Sequence, residues 1–201
     1  MSKKLLVVVA VVAVAAAAYW ILGRGSDKPP DLSGLPPVHV DEARLTEAGK
    51  NEYKRLLKTA GRIKRVDAVR RFDLGQDVAG TLHKLGDYEG AIQWHLKLAE
   101  WFEELSPKQR KATERGQRGE ADHTVVAATC YQTASSCCFL LGDEARGVQL
   151  METFLRKYPR DSQGVRMMRL NWESAKGKPE MHREMSQTYK ADPKYVKDAA
   201  R

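Results

Sequence analysis

Five histidines (His39, His83, His95, His123 and His182) and three cysteines (Cys130, Cys137 and Cys138) are the side chains best suited to ligate a metal or attack a substrate. Their spacing supports neither role. No HExxH motif places two imidazoles on one helix face, no His pair stands four residues apart, and CxxC and CxxCH are both absent. Phosphate chemistry would call for a P-loop or a GxGxxG turn after a strand, and acyl transfer for a GxSxG elbow; the chain has none of these. Neighbouring carboxylates such as Glu103 and Glu104 fall on charged helical surface, where water solvates both. The cysteines share one apolar stretch that reads as helix. Seven residues of helix rise about 10 Å, beyond disulfide reach, so all three read as small core residues. The expectation is therefore no catalytic residue, no metal site, no cofactor and no enzymatic activity.

Residues that do no chemistry take their meaning from the elements that place them. The chain has 201 residues, a formal net charge of +8 and ordinary apolar content, enough for one domain plus a membrane segment. Residues 5–22 (LLVVVAVVAVAAAAYWIL) contain no charge, and eighteen helical residues reach about 27 Å, close to a bilayer's hydrocarbon thickness. Lys3 and Lys4 precede this segment, and Tyr19 and Trp20 suit the interfacial belt at its far end. Residues 1–22 read as a single-pass signal anchor. Ala16-Ala17-Ala18 offers a competing cleavage site, but the apolar run continues past it. A short basic leader before a long domain favours an extracytoplasmic domain, on the periplasmic side in a bacterium, while three free thiols argue the other way. Residues 23–40 carry four prolines and three glycines and read as a linker.

Residues 41–201 read as all-α, with no sustained period-two alternation. Asp41 is expected to cap a helix running to about Ala60, ended by Gly61; Asp41–Leu85 is one interrupted helix or two. Leu85-Gly86-Asp87-Tyr88 joins two amphipathic stretches, and Leu141-Gly142-Asp143-Glu144 does so again. Ala79, Ala91, Ser135 and Gly147 are small where paired helices would approach closely. Pro159 closes the second unit, because proline cannot continue a helix, and Pro193 follows as a second stop.

This pattern over Phe72–Pro193 resembles the tetratricopeptide repeat, a unit of about 34 residues in helix–turn–helix form that stacks into a solenoid. Pro159 and Pro193 are spaced by one such unit. The clearest units are 72–105 and 128–161, and the third is degenerate, as a terminal capping repeat would be. Gly86 and Gly142 are further apart than one repeat, which leaves an insertion of roughly 22 residues between the turns. Ser106-Pro107 signals a helix start, which reads as a long helix from Pro107 through Leu141, with a disordered basic loop over Lys108–Gly119 as the alternative. The resemblance implies that His95 occupies an inward position usually held by an aromatic residue, as a satisfied core histidine. It also implies a groove, lined by the first helix of each pair, that receives a protein partner. Its lining would be Gln76, Asp77, His83 and Lys84, then Gln132, Thr133, Ser136 and Phe139, then Gln163, Arg166 and Glu173. That set lacks a dense Lys/Asn clamp for acidic C-terminal peptides. The implied role is a membrane-tethered scaffold or adaptor in a membrane or envelope complex, with a non-catalytic subunit of a membrane enzyme as an alternative.

A second surface is basic: Lys54, Arg55, Lys58, Arg62, Lys64, Arg65, Arg70 and Arg71 crowd one region, and Lys108, Arg110, Lys111, Arg115 and Arg118 crowd the insertion. Near a membrane such charges gain about 1 kcal/mol each from anionic headgroups. Nucleic acid fits less well, because no aromatics interleave to stack bases.

Overall fold

In the computed structural model, residues 32–199 are described. They form one all-helical unit without strands. The expected anchor at residues 5–22 lies outside the described residues, and no described helix is long and apolar enough to cross a membrane. The helices are α1 (Glu47–Ile63), α2 (Ala68–Lys84), α3 (Tyr88–Glu104), α4 (Pro107–Ala112), α5 (Glu114–Gln117), α6 (His123–Leu140), α7 (Glu144–Lys157), α8 (Gln163–Gly177) and α9 (Pro179–Ser186). Two 3-10 turns, Glu42–Arg44 and Gln187–Tyr189, flank this set.

Asp41 caps only the first 3-10 turn; Thr46 caps α1, its hydroxyl accepting from the Gly49 amide. Asp41–Leu85 thus holds two α-helices, divided at Asp67, which caps α2. Neither Gly61 nor Gly75 ends a helix. Gly75 instead sits where an added Cβ would lie 2.9 Å from Leu98 and 3.0 Å from Trp101, so it lets α3 approach. The compact unit begins at Leu32, inside the stretch read as linker, because Leu32, Leu35, Val38 and Val40 pack against the core.

The two Gly-Asp turns have the same construction. Gly86 and Gly142 take φ of +76° and +78°, a left-handed conformation that glycine adopts without steric penalty. In the first turn the Gly86 amide donates to the His83 carbonyl and Asp87 to Leu82; in the second, Gly142 donates to Phe139 and Asp143 to Cys138. This pairing closes the preceding helix, as in a Schellman motif. The aspartate then opens the next helix: Asp87 accepts from the Gly90 amide and Asp143 from Arg146. A chain that ends one helix and starts another so abruptly must double back, so α2–α3 and α6–α7 are antiparallel pairs. Arg146 bridges to Glu89 at the start of α3 (2.7 Å), and Lys157 to Glu103 at its end (2.8 Å). The two pairs therefore sit in register, although such half-exposed bridges contribute little stability themselves.

The insertion differs from both expectations: it is neither a helix continuing to Leu141 nor a disordered loop. Ser106 starts α4 with a reciprocal capping box to Gln109, as its sequence signals. Thr113 then breaks the helix with ψ of 158° and caps α5 through its hydroxyl. Gly119 turns left-handed and Asp122 caps α6. The folded-back turns are fastened to the helix pairs. Buried Asp73 accepts from the Glu114 amide at 3.1 Å, and Arg110 donates to the Phe102 and Glu103 carbonyls at the end of α3.

Helix α6 is the centre of the fold. Thirteen of its eighteen residues are buried, because α3, α7, α8 and α9 all pack on it, while Val125, Thr129, Gln132 and Leu140 form one half-buried stripe. Its cysteines are free and buried; the Thr133 hydroxyl donates within the helix to the Thr129 carbonyl, and the Ser135 hydroxyl donates across to the Gly147 carbonyl of α7. At Gly164 an added Cβ would overlap the Thr124 carbonyl, so α8 meets α6 backbone to backbone. Gly164→Ala is therefore expected to destabilise the fold by roughly 3 kcal/mol. Gly80, with nothing within 4 Å of an added Cβ, is the control: Gly80→Ala should stabilise by about 0.5–1 kcal/mol. Urea unfolding of the two variants checks both signs, and equal effects would contradict the packing.

Candidate protein-binding face

The face of α2 and α6 that the sequence marks as a groove carries a second layer. Helix α9 and the Gln187–Tyr189 turn pack on α6, and the chain beyond them runs to the end of α2 and the start of α1. The Ala191 amide donates to the Tyr88 hydroxyl (2.8 Å), and the Asp192 amide to the Lys84 carbonyl (3.1 Å). Tyr189 meets the edge of His83, with ring centroids 5.5 Å apart. Past the turn at Pro193, the Thr46 hydroxyl donates to the Lys194 carbonyl, Lys197 donates from its amide to the Arg44 carbonyl, and Leu45 forms an antiparallel bridge with Val196. Gly49 admits this segment, since a Cβ there would overlap the Tyr195 carbonyl.

The expected lining residues accordingly divide into two groups. Gln76 and Gln132 are half-buried, while Asp77, Lys84, Gln163, Arg166 and Glu173 are exposed. Asp77 borders a small cleft with Arg55 and Thr59, and Arg166 pairs with Asp161 at 2.7 Å. His83, Thr133, Ser136 and Phe139 are buried. Phe139 packs between the Gly147 backbone and the His182 ring, whose centroid is 4.5 Å away. Tyr189 covers His83 and His182 covers Phe139, so a partner reaches these two rings only when the C-terminal segment moves. Tyr88 and Tyr189, which hold that segment, are absent from the set that the sequence marks. A phenol directly after a Gly-Asp turn is the available signal for Tyr88; Tyr189 offers none.

Beneath Tyr189 lies a stacked imidazole pair. His83 and His95 have ring centroids 4.9 Å apart and their Nε2 atoms 3.2 Å apart, so one neutral ring donates to the other. Burial pushes His83 down to about 4 and holds His95 well below the usual imidazole range. Burial also lowers His182. Among the described residues no group of three or more His, Cys, Asp or Glu side chains gathers where a metal ion could sit. The same desolvation raises the Cys130 thiol to about 12 and Cys138 to about 11, far from a reactive thiolate.

Comparison of the chain with protein-family models, curated proteins and solved structures finds no match in any of the three.

Because the folded imidazoles titrate below their unfolded value of 6.5, the unfolded chain binds more protons as pH falls. Their contribution is complete above pH 6.5 and is lost as pH drops toward 4. For His83 alone the loss is on the order of 3 kcal/mol. Urea midpoints at pH 7 and pH 4.5 should differ accordingly, and His95→Leu should flatten the difference. Identical midpoints would show that the imidazoles are not held neutral.

Proposed function

We propose that this chain is a membrane-tethered adaptor of tetratricopeptide type, which binds a polypeptide partner on the face of α2 and α6 and catalyses nothing itself. The apolar segment 5–22 would hold it to the bilayer as a single-pass anchor, with the helical domain on the extracytoplasmic side. Support for the repeat reading comes from the paired Gly-Asp turns, identical in hydrogen bonding, and from the two helix pairs bridged in register.

The observation that carries the binding role is the seating of the C-terminal segment. Main-chain amides of Ala191 and Asp192 are bonded at the α2–α3 turn, at the edge of the face, and the Tyr189 ring lies against His83. A surface that takes one stretch of polypeptide by backbone hydrogen bonds and an aromatic contact suits another of similar chemistry. The chain's own segment then acts as a competitor. An incoming partner must offset the loss of its contacts, including about 2 kcal/mol for re-exposing a buried aromatic such as Phe139. Binding at the exposed rim, through Asp77, Lys84, Gln163, Arg166 and Glu173, avoids that cost.

Cross-linking mass spectrometry on native membranes tests this role. Intermolecular cross-links should concentrate on Lys84, Lys190 and Lys194 rather than on Lys108 and Lys176. Tyr88→Phe removes the acceptor of the Ala191 amide and should raise partner recovery several-fold by loosening the competitor. Recovery of monomer alone, from both forms and at several detergent strengths, would refute the adaptor reading.

A further inference from the structure

Positive charge is concentrated on α1. Residues 47–65 hold seven Lys or Arg against two Asp or Glu, so +5 of the chain's net +8 lies on this helix and its end. The buried residues Gly49, Leu56, Ala60 and Ile63 occupy one side. Lys50, Lys54, Lys58 and Arg62 follow one another at four-residue spacing along the opposite side, the geometry that brings side chains together on a helix.

Several cations elsewhere have work within the fold. Arg110 donates to carbonyls at the end of α3, and Lys97, Arg146, Lys157, Arg166 and Arg183 each pair with a carboxylate. On α1, Glu47 and Glu52 are engaged by Lys50 and Arg55. Lys54, Lys58, Arg62 and the following Arg65 stand exposed, and none of the four makes an ion pair among the described residues. Adjacent like charges on a helix repel. Within α1 only the two engaged glutamates offset that repulsion.

At the end of the same helix, Arg71, with Lys64 (bonded to the Ser33 hydroxyl) and Lys97 (paired with Glu100), borders an open cleft of about 260 Å³ beside Ile63, Leu35 and Trp101, and among the described residues no carboxylate lines it. Converging cations beside an apolar wall suit a phosphate group carried on an aliphatic body. We infer that the outer face of α1, with this cleft at its end, docks on a surface of anionic phospholipid. The choice of a membrane over a nucleic acid rests on the tether reading above. On that reading the anchor and the basic helix belong to one chain, which raises the effective concentration of the helix at the headgroups. Tyr53, the one aromatic residue of α1, packs against the core and is not available to stack on bases.

Lysine footprinting tests the inference on the full chain. The protein is mixed with vesicles of neutral phosphatidylcholine, or of phosphatidylcholine and phosphatidylglycerol in a two-to-one ratio, and lysine acetylation is quantified by mass spectrometry. Anionic vesicles should slow modification of Lys54 and Lys58 about fivefold or more relative to neutral ones. Lys108, Lys176 and Lys178 should react alike in both, and about 0.5 M salt should abolish the difference. The triple variant Lys54→Glu, Lys58→Glu, Arg62→Glu should lose the lipid dependence at Lys64 while unfolding normally in urea. Equal modification in the two vesicle types overturns the inference, as does stronger protection by single-stranded RNA than by anionic vesicles. Flotation with neutral vesicles reports separately on the tether: a chain that fails to float there loses its anchor, whereas the footprint still decides the docking face.

Discussion

A helix buried around most of its circumference cannot exist without enclosure, and α6 imposes that requirement on the whole molecule. It carries no charged residue after His123 and presents small or apolar side chains in every direction. Helices α3, α7 and α8 cover three sides, which leaves the side bearing Phe139 to α9 and the turn after it. In a plain stack of helix pairs, that last side would face solvent or a partner. Here the chain supplies its own cover. The glycines at 147 and 164 belong to the same requirement, since each removes a side chain where a neighbour comes closest to α6.

Electrostatics follow from this enclosure. Imidazoles and thiols drawn in with α6 and its neighbours stay neutral because burial disfavours their charged forms. The lysines and arginines are kept to the outside, where several meet a carboxylate one turn away or across a helix pair. Helix α1 differs in its surplus. It stands at the edge of the stack, packs through a single apolar stripe and turns its cationic side outward.

Local signals are legible in the sequence wherever a single residue type has one backbone use. Gly86 and Gly142 announce the turns, Ser106-Pro107 announces a helix start, and the absence of alternation announces an all-helical chain. The small residues Ser135 and Gly147 mark a real close approach. What local reading misses depends on partners distant in sequence. Thr113 resembles any helical residue until its extended backbone lets the insertion fold back onto Asp73 and the end of α3. Residues 32–40 look like a linker because their prolines and glycines are visible and their docking site is not. The lining set has the same blind spot: a repeat register shows which side a residue faces, but not that residues 179–199 cover His83 and Phe139 on that side.

The pairing of Leu45 with Val196 joins nearly the two ends of the described domain. During synthesis that closure waits for Val196 to leave the ribosome, whereas each helix pair can form as it emerges. For that interval Phe139 and His83 are uncovered in a nascent chain already built around α6. The newborn protein thus passes through a receptive stage that the finished one conceals, and the emergence of residues 179–199 sets when that stage ends.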